Sequence, residues 1–398
     1  MALPPVPAGF RVAGVHCGIK SVATKEDLSL FVTDGPAVAA GVYTQNRVHA
    51  ACVDLDRART PSDRIRVVVV NSGNANACTG TQGHADAEEM LRLAAATCGA
   101  DASQALVMST GIIGRLLPMD RVREGIHQAA QRLERDEAAL QTAVRGIMTT
   151  DQFQKTAGRT IEIDGTRFQL TALAKGAGMI GPNMATMLAL VMTDAPLRPE
   201  TAQQALQTAA DASFNCISVE GHTSTNDTLL LVASGAARRE PLTGHSLALF
   251  QHALNEVCIE LAKLIPSDGE GATHLITIHV AGCASVEDAR RIAQTIANSP
   301  LVKTGIAGAD PNWGRIVSAA GYAGVEFDPH RMHLKLNGHQ LFRHGQPVPF
   351  DAQVVSRAIR DQHETLVELT LGEGQAEARF WTSDLTINYV RFNSEYTT

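Results

Sequence analysis

Aromatic residues are scarce in this sequence, with Phe, Trp and Tyr making up 4% of 398 residues. Charge is also thin, at 19% Asp, Glu, Lys and Arg, and it leans acidic: 34 Lys and Arg against 41 Asp and Glu give a formal net charge of −7. No run of basic residues appears, so no nucleic-acid partner is expected. No stretch reaches about 18 uninterrupted apolar residues, which argues against a membrane-spanning helix. The opening MALPPVPAGFRVAG lacks the basic-then-apolar pattern of a secretory signal. The seven cysteines are an odd, scattered set without C-x-x-C spacing. That speaks against a disulfide framework and a thiolate zinc site, and for a reducing compartment. Fourteen histidines form no H-E-x-x-H or H-x-H pair, so no metal is expected. These absences together predict a soluble, cytoplasmic protein.

What is present is 44% hydrophobic residues and 33 glycines in a chain long enough for a sizeable core, about two to three domains by length alone. Helical periodicity predicts helices over 85–97, 119–148 (two helices), 199–212, 246–264, 286–298 and 351–361. Apolar, β-branched segments predict strands over 66–71, 187–192, 228–233, 275–280, 332–336 and 365–371, and a hairpin of 160–163 with 167–173 across Asp164-Gly165. Some strands come in pairs, and helices do not alternate with them one to one. The expected fold class is therefore α+β, with layers of helices and antiparallel or mixed sheets. The softest joints, at 192–199 and at Ser299-Pro300, do not read as flexible linkers.

Lys175-Gly-Ala-Gly-Met-Ile-Gly181 matches G-x-G-x-x-G after a strand. Pro182 then falls where the helix of a dinucleotide-binding unit should run, which argues against that reading. Clusters of glycine, Asn and hydroxyl residues recur at Ser72–Gly80, Ser109–Gly114, Thr223–Asp227, Ser267–Thr273 and Asp310–Gly314. Singly each is a turn. Together they suit loops that aim N–H groups and hydroxyls at a small polar molecule and a developing oxyanion. His16, His222 and His274 lie near such loops, but hydrogen-bonded or solvent-facing imidazoles are the expected outcome.

The stretch Lys175-Gly-Ala-Gly-Met-Ile-Gly-Pro-Asn-Met-Ala-Thr-Met-Leu-Ala189 resembles the ornithine acetyltransferase (glutamate N-acetyltransferase) family of arginine biosynthesis. Other strings similar to that family follow in order over essentially the whole chain. They include Gln45-Asn-Arg47, Asn71-Ser-Gly-Asn-Ala-Asn-Ala-Cys-Thr-Gly80, Ser109-Thr-Gly111, Met148-Thr-Thr-Asp151, Gly269-Glu-Gly-Ala-Thr273 and the ending Trp381-Thr-Ser-Asp-Leu-Thr386 to Thr398. The resemblance implies a layered fold like that of N-terminal-nucleophile enzymes. It also implies a proenzyme that cuts itself between Ala185 and Thr186, leaving fragments 1–185 and 186–398.

In that picture Thr186 is the nucleophile. Its freed α-amine, with a reference pKa of about 7.7–8.0, supplies the base that a bare hydroxyl lacks. The family's oxyanion donors fall on Thr110 and Gly111, and its substrate-binding residues on Thr149, Thr150, Lys175, Thr186, Glu270, Asn393 and Thr398. The implied reaction moves acetyl from N-acetylornithine to glutamate through an acetyl-Thr186 ester. The implied assembly is two copies of each fragment, with no cofactor. Whether acetyl-CoA also donates stays open at this level. Glu220, His222, His274 and Ser383 depart from the family pattern and bear on substrate preference and loop electrostatics. The rivals are an amidase or aminopeptidase sharing the same nucleophile, and an unprocessed, non-catalytic relative.

Overall fold

The computed structural model describes residues 3–181 and 187–395. The first sheet is built from β1 (Phe10–Val15), β2 (Leu28–Tyr43), β3 (Ser62–Asn74), β4 (Ala105–Ile112), β5 (Lys155–Ile163), β6 (Thr166–Lys175), β7 (Leu188–Thr193) and, after the two-residue β8 (Ile217–Ser218) of the other sheet, β9 (Thr228–Ala233). Its order is β4-β3-β2-β9-β7-β6-β5, with β1 also beside β2. The β3–β4 and β7–β9 pairs are parallel, whereas β2–β3, β2–β9, β6–β7 and β5–β6 are antiparallel. The second sheet joins β8 to β10 (Leu275–Cys283), β11 (His333–Leu336), β12 (His339–Arg343), β13 (Gln346–Pro347), β14 (Glu364–Thr370) and β15 (Ala376–Ser383), in the order β13-β12-β11-β14-β10-β15-β8. Both sheets are mixed, as the α+β reading expects.

β7 and β9 are buried along their whole length because helices cover both faces of the sheet. Alternate residues go to opposite cores, Ala189 and Val191 to one and Leu188, Leu190 and Met192 to the other. Each large apolar side chain buried this way contributes roughly 1.5–3 kcal/mol. Around β1 to β4 pack α1 (Ala51–Arg57), α2 (Gly80–Thr97) and α3 (Met119–Gln131), while α4 (Glu137–Ile147) covers the face carrying Leu188 and Leu190. On the opposite face lie α5 (Pro199–Ala212) and α6 (Gly244–Ser267), and α6 also touches β15, which makes it the layer between the two sheets. Against the second sheet pack α7 (Val286–Ala297), with α8 (Pro300–Ala307) and α9 (Trp313–Gly321) behind it, and α10 (Ala352–Arg360), while α11 (Ile387–Glu395) closes the described chain.

Local chemistry explains the boundaries. In α7, Ser285 caps the helix by accepting the Asp288 N–H at 3.1 Å, and Ala289, Ile292, Ala293, Ile296 and Ala297 form its buried stripe. Asp164 and Gly165 both take positive φ, 52° and 73°, as the tight β5–β6 hairpin demands. The joint at 192–199 is the turn from β7 into α5, with Pro199 at the helix start, and Pro300 likewise opens α8.

Candidate active site

The cavity that gathers the expected residues measures about 140 Å³ and opens where β4, β6 and the loops after α4 and α6 converge. Its wall includes Thr110 and Gly111, Thr149 and Thr150, Lys175, Glu270 and Asn393. Residues separated by more than 280 positions in sequence thus share one hollow of amino-acid scale. Ala185, Thr186 and Thr398 lie outside the described residues. A larger polar hollow of about 320 Å³, walled by Arg57, Asp211 and Arg290 among others, contains none of them.

Thr110 and Gly111 stand at the end of β4, paired with β3 where the register shifts at Gly73 and Asn74. Gly111 has φ +133°, and a Cβ there would lie 2.3 Å from the Gly73 carbonyl carbon. Glycine is therefore required both by the backbone conformation and by the close approach of β3. The strand behind is pinned by Asn71, whose side chain accepts the Ser109 hydroxyl at 2.7 Å and donates to the Asn74 carbonyl at 2.8 Å.

Lys175 ends β6 almost completely buried, its Nζ donating to Thr149 Oγ1 at 3.3 Å. Burial pushes this ammonium below its ordinary range, while Asp151, Asp227 and Glu270 pull the other way. Asp151 accepts Lys155 Nζ at 2.7 Å, the Gly176 N–H at 2.7 Å and the Thr149 N–H at 2.9 Å. Burial alone would raise its carboxyl, but Lys155, Lys175 and the Gly176 N–H outweigh this and hold it at about 2. Lys155, fully buried, also reaches Asp268 at 2.5 Å, so one ammonium joins two carboxylates beneath the cavity floor.

Residues 176–181 form a loop, and the next described element is the strand β7 where a dinucleotide-binding unit would carry its helix. The loop's carbonyl at Ala177 accepts the Glu270 N–H at 2.9 Å, and the Ile180 carbonyl accepts those of Val219 at 2.9 Å and Gly221 at 3.0 Å. The Glu270 carboxylate lies directly on Gly178, where a Cβ would fall 2.5 Å from it. Asn393, from α11, donates to Glu270 Oε2 at 3.1 Å and so orients that carboxylate. Among the departing positions, Glu220 accepts the Ile180 N–H at 2.5 Å and burial pushes its carboxyl up to about 8. His274 bonds to Asp384 at 3.1 Å, His16 to the Lys25 carbonyl at 2.8 Å, and His222 is exposed. None of the three lines the cavity.

Asp151, Asn226 and Asp227 are the residues the sequence reading left without a role. Their strings were visible, but nothing in a turn-like Thr-Ser-Thr-Asn-Asp announces burial. The one available signal is Lys155 four residues after Asp151, in a stretch that must enter a sheet. Among the described residues, no group of three or more His, Cys, Asp or Glu could hold a metal ion, and no helix is long and apolar enough to cross a membrane.

The chain matches the family model described as "ArgJ family" over residues 11–398. It is 50% identical over 396 residues to the "Arginine biosynthesis bifunctional protein ArgJ" of Rhodopirellula baltica, covering 99% of this chain and 96% of that one. It is 48% identical to the protein of the same name from Symbiobacterium thermophilum, covering 98% of each. A crystal structure of "Arginine biosynthesis bifunctional protein argJ" from Bacillus halodurans superimposes with a TM-score of 0.51 at 38% identity, covering 52% of this chain and 98% of that one. By these matches the chain belongs to the ArgJ family.

Proposed function

We propose that this chain is a self-processing acyltransferase that moves acetyl from N-acetylornithine to glutamate through Thr186, within arginine biosynthesis. The observation that carries the reading is the convergence of a buried lysine, a carboxylate and a Thr-Gly turn on one small cavity. The relatives' names point to the same pathway.

Processing begins with the Thr186 hydroxyl oxygen adding to the Ala185 carbonyl carbon. The C–N bond then breaks, the nitrogen takes the hydroxyl proton, and water hydrolyses the resulting ester to leave an Ala185 carboxylate and a free Thr186 amine. The solved Bacillus halodurans polypeptide is about half the length of this chain, which is the length expected of one piece of a cut precursor. In turnover, the α-amine accepts the hydroxyl proton as the oxygen attacks the acetyl carbon. The Thr110 hydroxyl and the Gly111 N–H donate to the oxyanion. Ornithine leaves with that proton, and the amine of glutamate then takes acetyl from the ester by the same steps. Lys175 pairs with the α-carboxylate common to both substrates, Glu270 meets a cationic amine, and Thr149, Thr150, Asn393 and Thr398 complete the binding site. No metal or nucleotide cofactor takes part, and the working assembly is two copies of each fragment in the cytoplasm.

The test gives purified protein glutamate with either N-acetylornithine or acetyl-CoA and measures N-acetylglutamate. Product with N-acetylornithine supports the transferase, and product with both donors adds the second activity that "bifunctional" in the relatives' names suggests. Acetate released at full rate without glutamate makes the protein an amidase, and silence with both donors overturns the reading. Thr186→Ala is expected to run as one band on a denaturing gel where the parent runs as two, with no transfer.

A further inference from the structure

Segment 224–228 touches both halves of the reaction centre, and it does so through two consecutive side chains. Asn226 is buried, and its Nδ2 donates to the Ser109 carbonyl at 2.8 Å and to the Ala75 carbonyl at 2.7 Å. Its Oδ1 accepts the Thr225 hydroxyl at 2.5 Å, so the amide is fully engaged and its orientation fixed. Ser109 immediately precedes Thr110 and Gly111. Asp227 is fully buried, and its Oδ1 accepts the N–H of Met187 at 3.1 Å. Met187 immediately follows Thr186, and its carbonyl accepts the Thr228 N–H at 3.1 Å. The segment is held in turn by the residue that follows β2, because the Asp227 carbonyl accepts the Thr44 N–H at 2.9 Å.

We propose that Asn226 and Asp227 are positioning residues that act as a two-residue gauge, fixing the separation between the oxyanion turn and the peptide that follows the nucleophile. This deepens, and rests on, the acyltransferase reading above. The chemistry requires such a gauge. Oxyanion donors stabilise the tetrahedral species only within a few tenths of an ångström of its oxygen, and the two partners come from different strands, β4 and β7, that do not pair with each other. A backbone N–H can be held by any acceptor, but a carboxylate buried without a water-facing side is a costly choice. Burial pushes the Asp227 carboxyl well above its ordinary range, and the nearby Lys175 ammonium pulls it back. Neither residue needs to touch substrate.

The test compares Asp227→Ala, Asp227→Asn, Asp227→Leu, Asn226→Ala and the double alanine variant, all in the full chain. It follows conversion of precursor to two bands over time, then kcat and KM for N-acetylornithine per cut molecule. Losing the acceptor for one N–H is expected to slow cutting and lower kcat about tenfold or more, with KM within about threefold. Asp227→Asn keeps an acceptor oxygen and is expected to cut within about threefold of the parent, whereas Asp227→Leu, which fills the space without an acceptor, is expected to be as slow as Asp227→Ala, a split that a general packing role does not give. Asn226→Ala is expected to lose kcat similarly. The double variant is expected to be little worse than either single one, because a gauge fails at either end. Unchanged cutting and kcat in Asp227→Ala, or full additivity in the double variant, overturns the proposal. Should Asp227→Ala fail to fold, Asn226→Ala at the parent's kcat overturns it equally. A parent that is neither cut nor active overturns the acyltransferase reading and this one with it, whereas a cut, active parent beside unchanged variants overturns only the gauge.

Discussion

The two sheets bury very different cargo. Strands of the second sheet bury hydroxyls, among them Ser218, Thr277, Thr365 and Thr382, but no charged side chain among the described residues. Strands of the first bury Lys155 and Lys175, with Asp151 and Asp227 next to them in sequence or space. Taking a charge out of water costs several kcal/mol unless partners compensate. Beside the second sheet charge is buried beyond the strands, at Asp384 just after β15 and at Lys303 in α8; at the first it is buried within the strands themselves, where Lys175 lines the cavity.

The sharpest way to break that contrast is to damage both sheets equally. Lys155→Met leaves Asp151 and Asp268 facing each other without their shared ammonium, and is expected to cost about 3–5 kcal/mol. Phe380→Ala, in β15 with no exposure, is expected to cost a similar ~3–5 kcal/mol by opening a cavity. Urea denaturation in a Thr186→Ala background, which would block the proposed cut, measures both as a single chain. In the cuttable protein, Phe380→Ala is expected to keep its activity per folded molecule and Lys155→Met to lose it. Equal retention would erase the distinction between the sheets.

The sequence made the apolar half of this comparison legible and hid the charged half. β7 and β9 read as strands because buried parallel pairs are runs of apolar residues. α5 began where Pro199 follows a polar residue, as read. β2 was missed because Asp34-Gly35-Pro36 in its middle looks like a turn; those residues are exposed, and the strand continues past them with a shift in register. β15 was missed because Glu377 and Arg379 alternate with apolar residues on a half-exposed strand. Thr110, Gly111, Lys175 and Glu270 were named through resemblance, not from spacing. Asp151 and Asp227 could not be told from surface turn carboxylates, since burial of a charge depends on partners that only the fold brings together.

Gly111→Ala is expected next in size, about 10²–10³ in kcat, through the displaced N–H donor. Its positive φ and the 2.3 Å contact leave a Cβ no room, so steady-state kinetics on the cut, folded fraction measures it. The smallest effect concerns acid. Asp151 titrates at about 2 in the fold, below its ordinary 3.8. A depressed carboxyl adds stability that is fully present above the unfolded value and is lost as pH falls toward the folded one. The melting temperature of the parent is therefore expected to drop between about pH 4 and pH 2, and Asp151→Asn to lose this component of the drop. A variant with an unchanged acid profile would remove Asp151 from the account.

The order of strands in the first sheet also fixes an order in time. β9 and β7, from beyond residue 186, lie between β2 and β6, from before it. Without them residues 1–185 would present two bare edges with a gap two strands wide, a template for aggregation and no finished sheet. Synthesis must therefore pass residue 233 before the sheet can close, and the proposed cut at 185–186, which needs Thr110 and Gly111 beside it, would come afterwards. Such a cut would release nothing, since β2 grips β9 and β6 grips β7 through six residue pairs each. Two separately expressed halves would face the harder task of finding each other while both are still open.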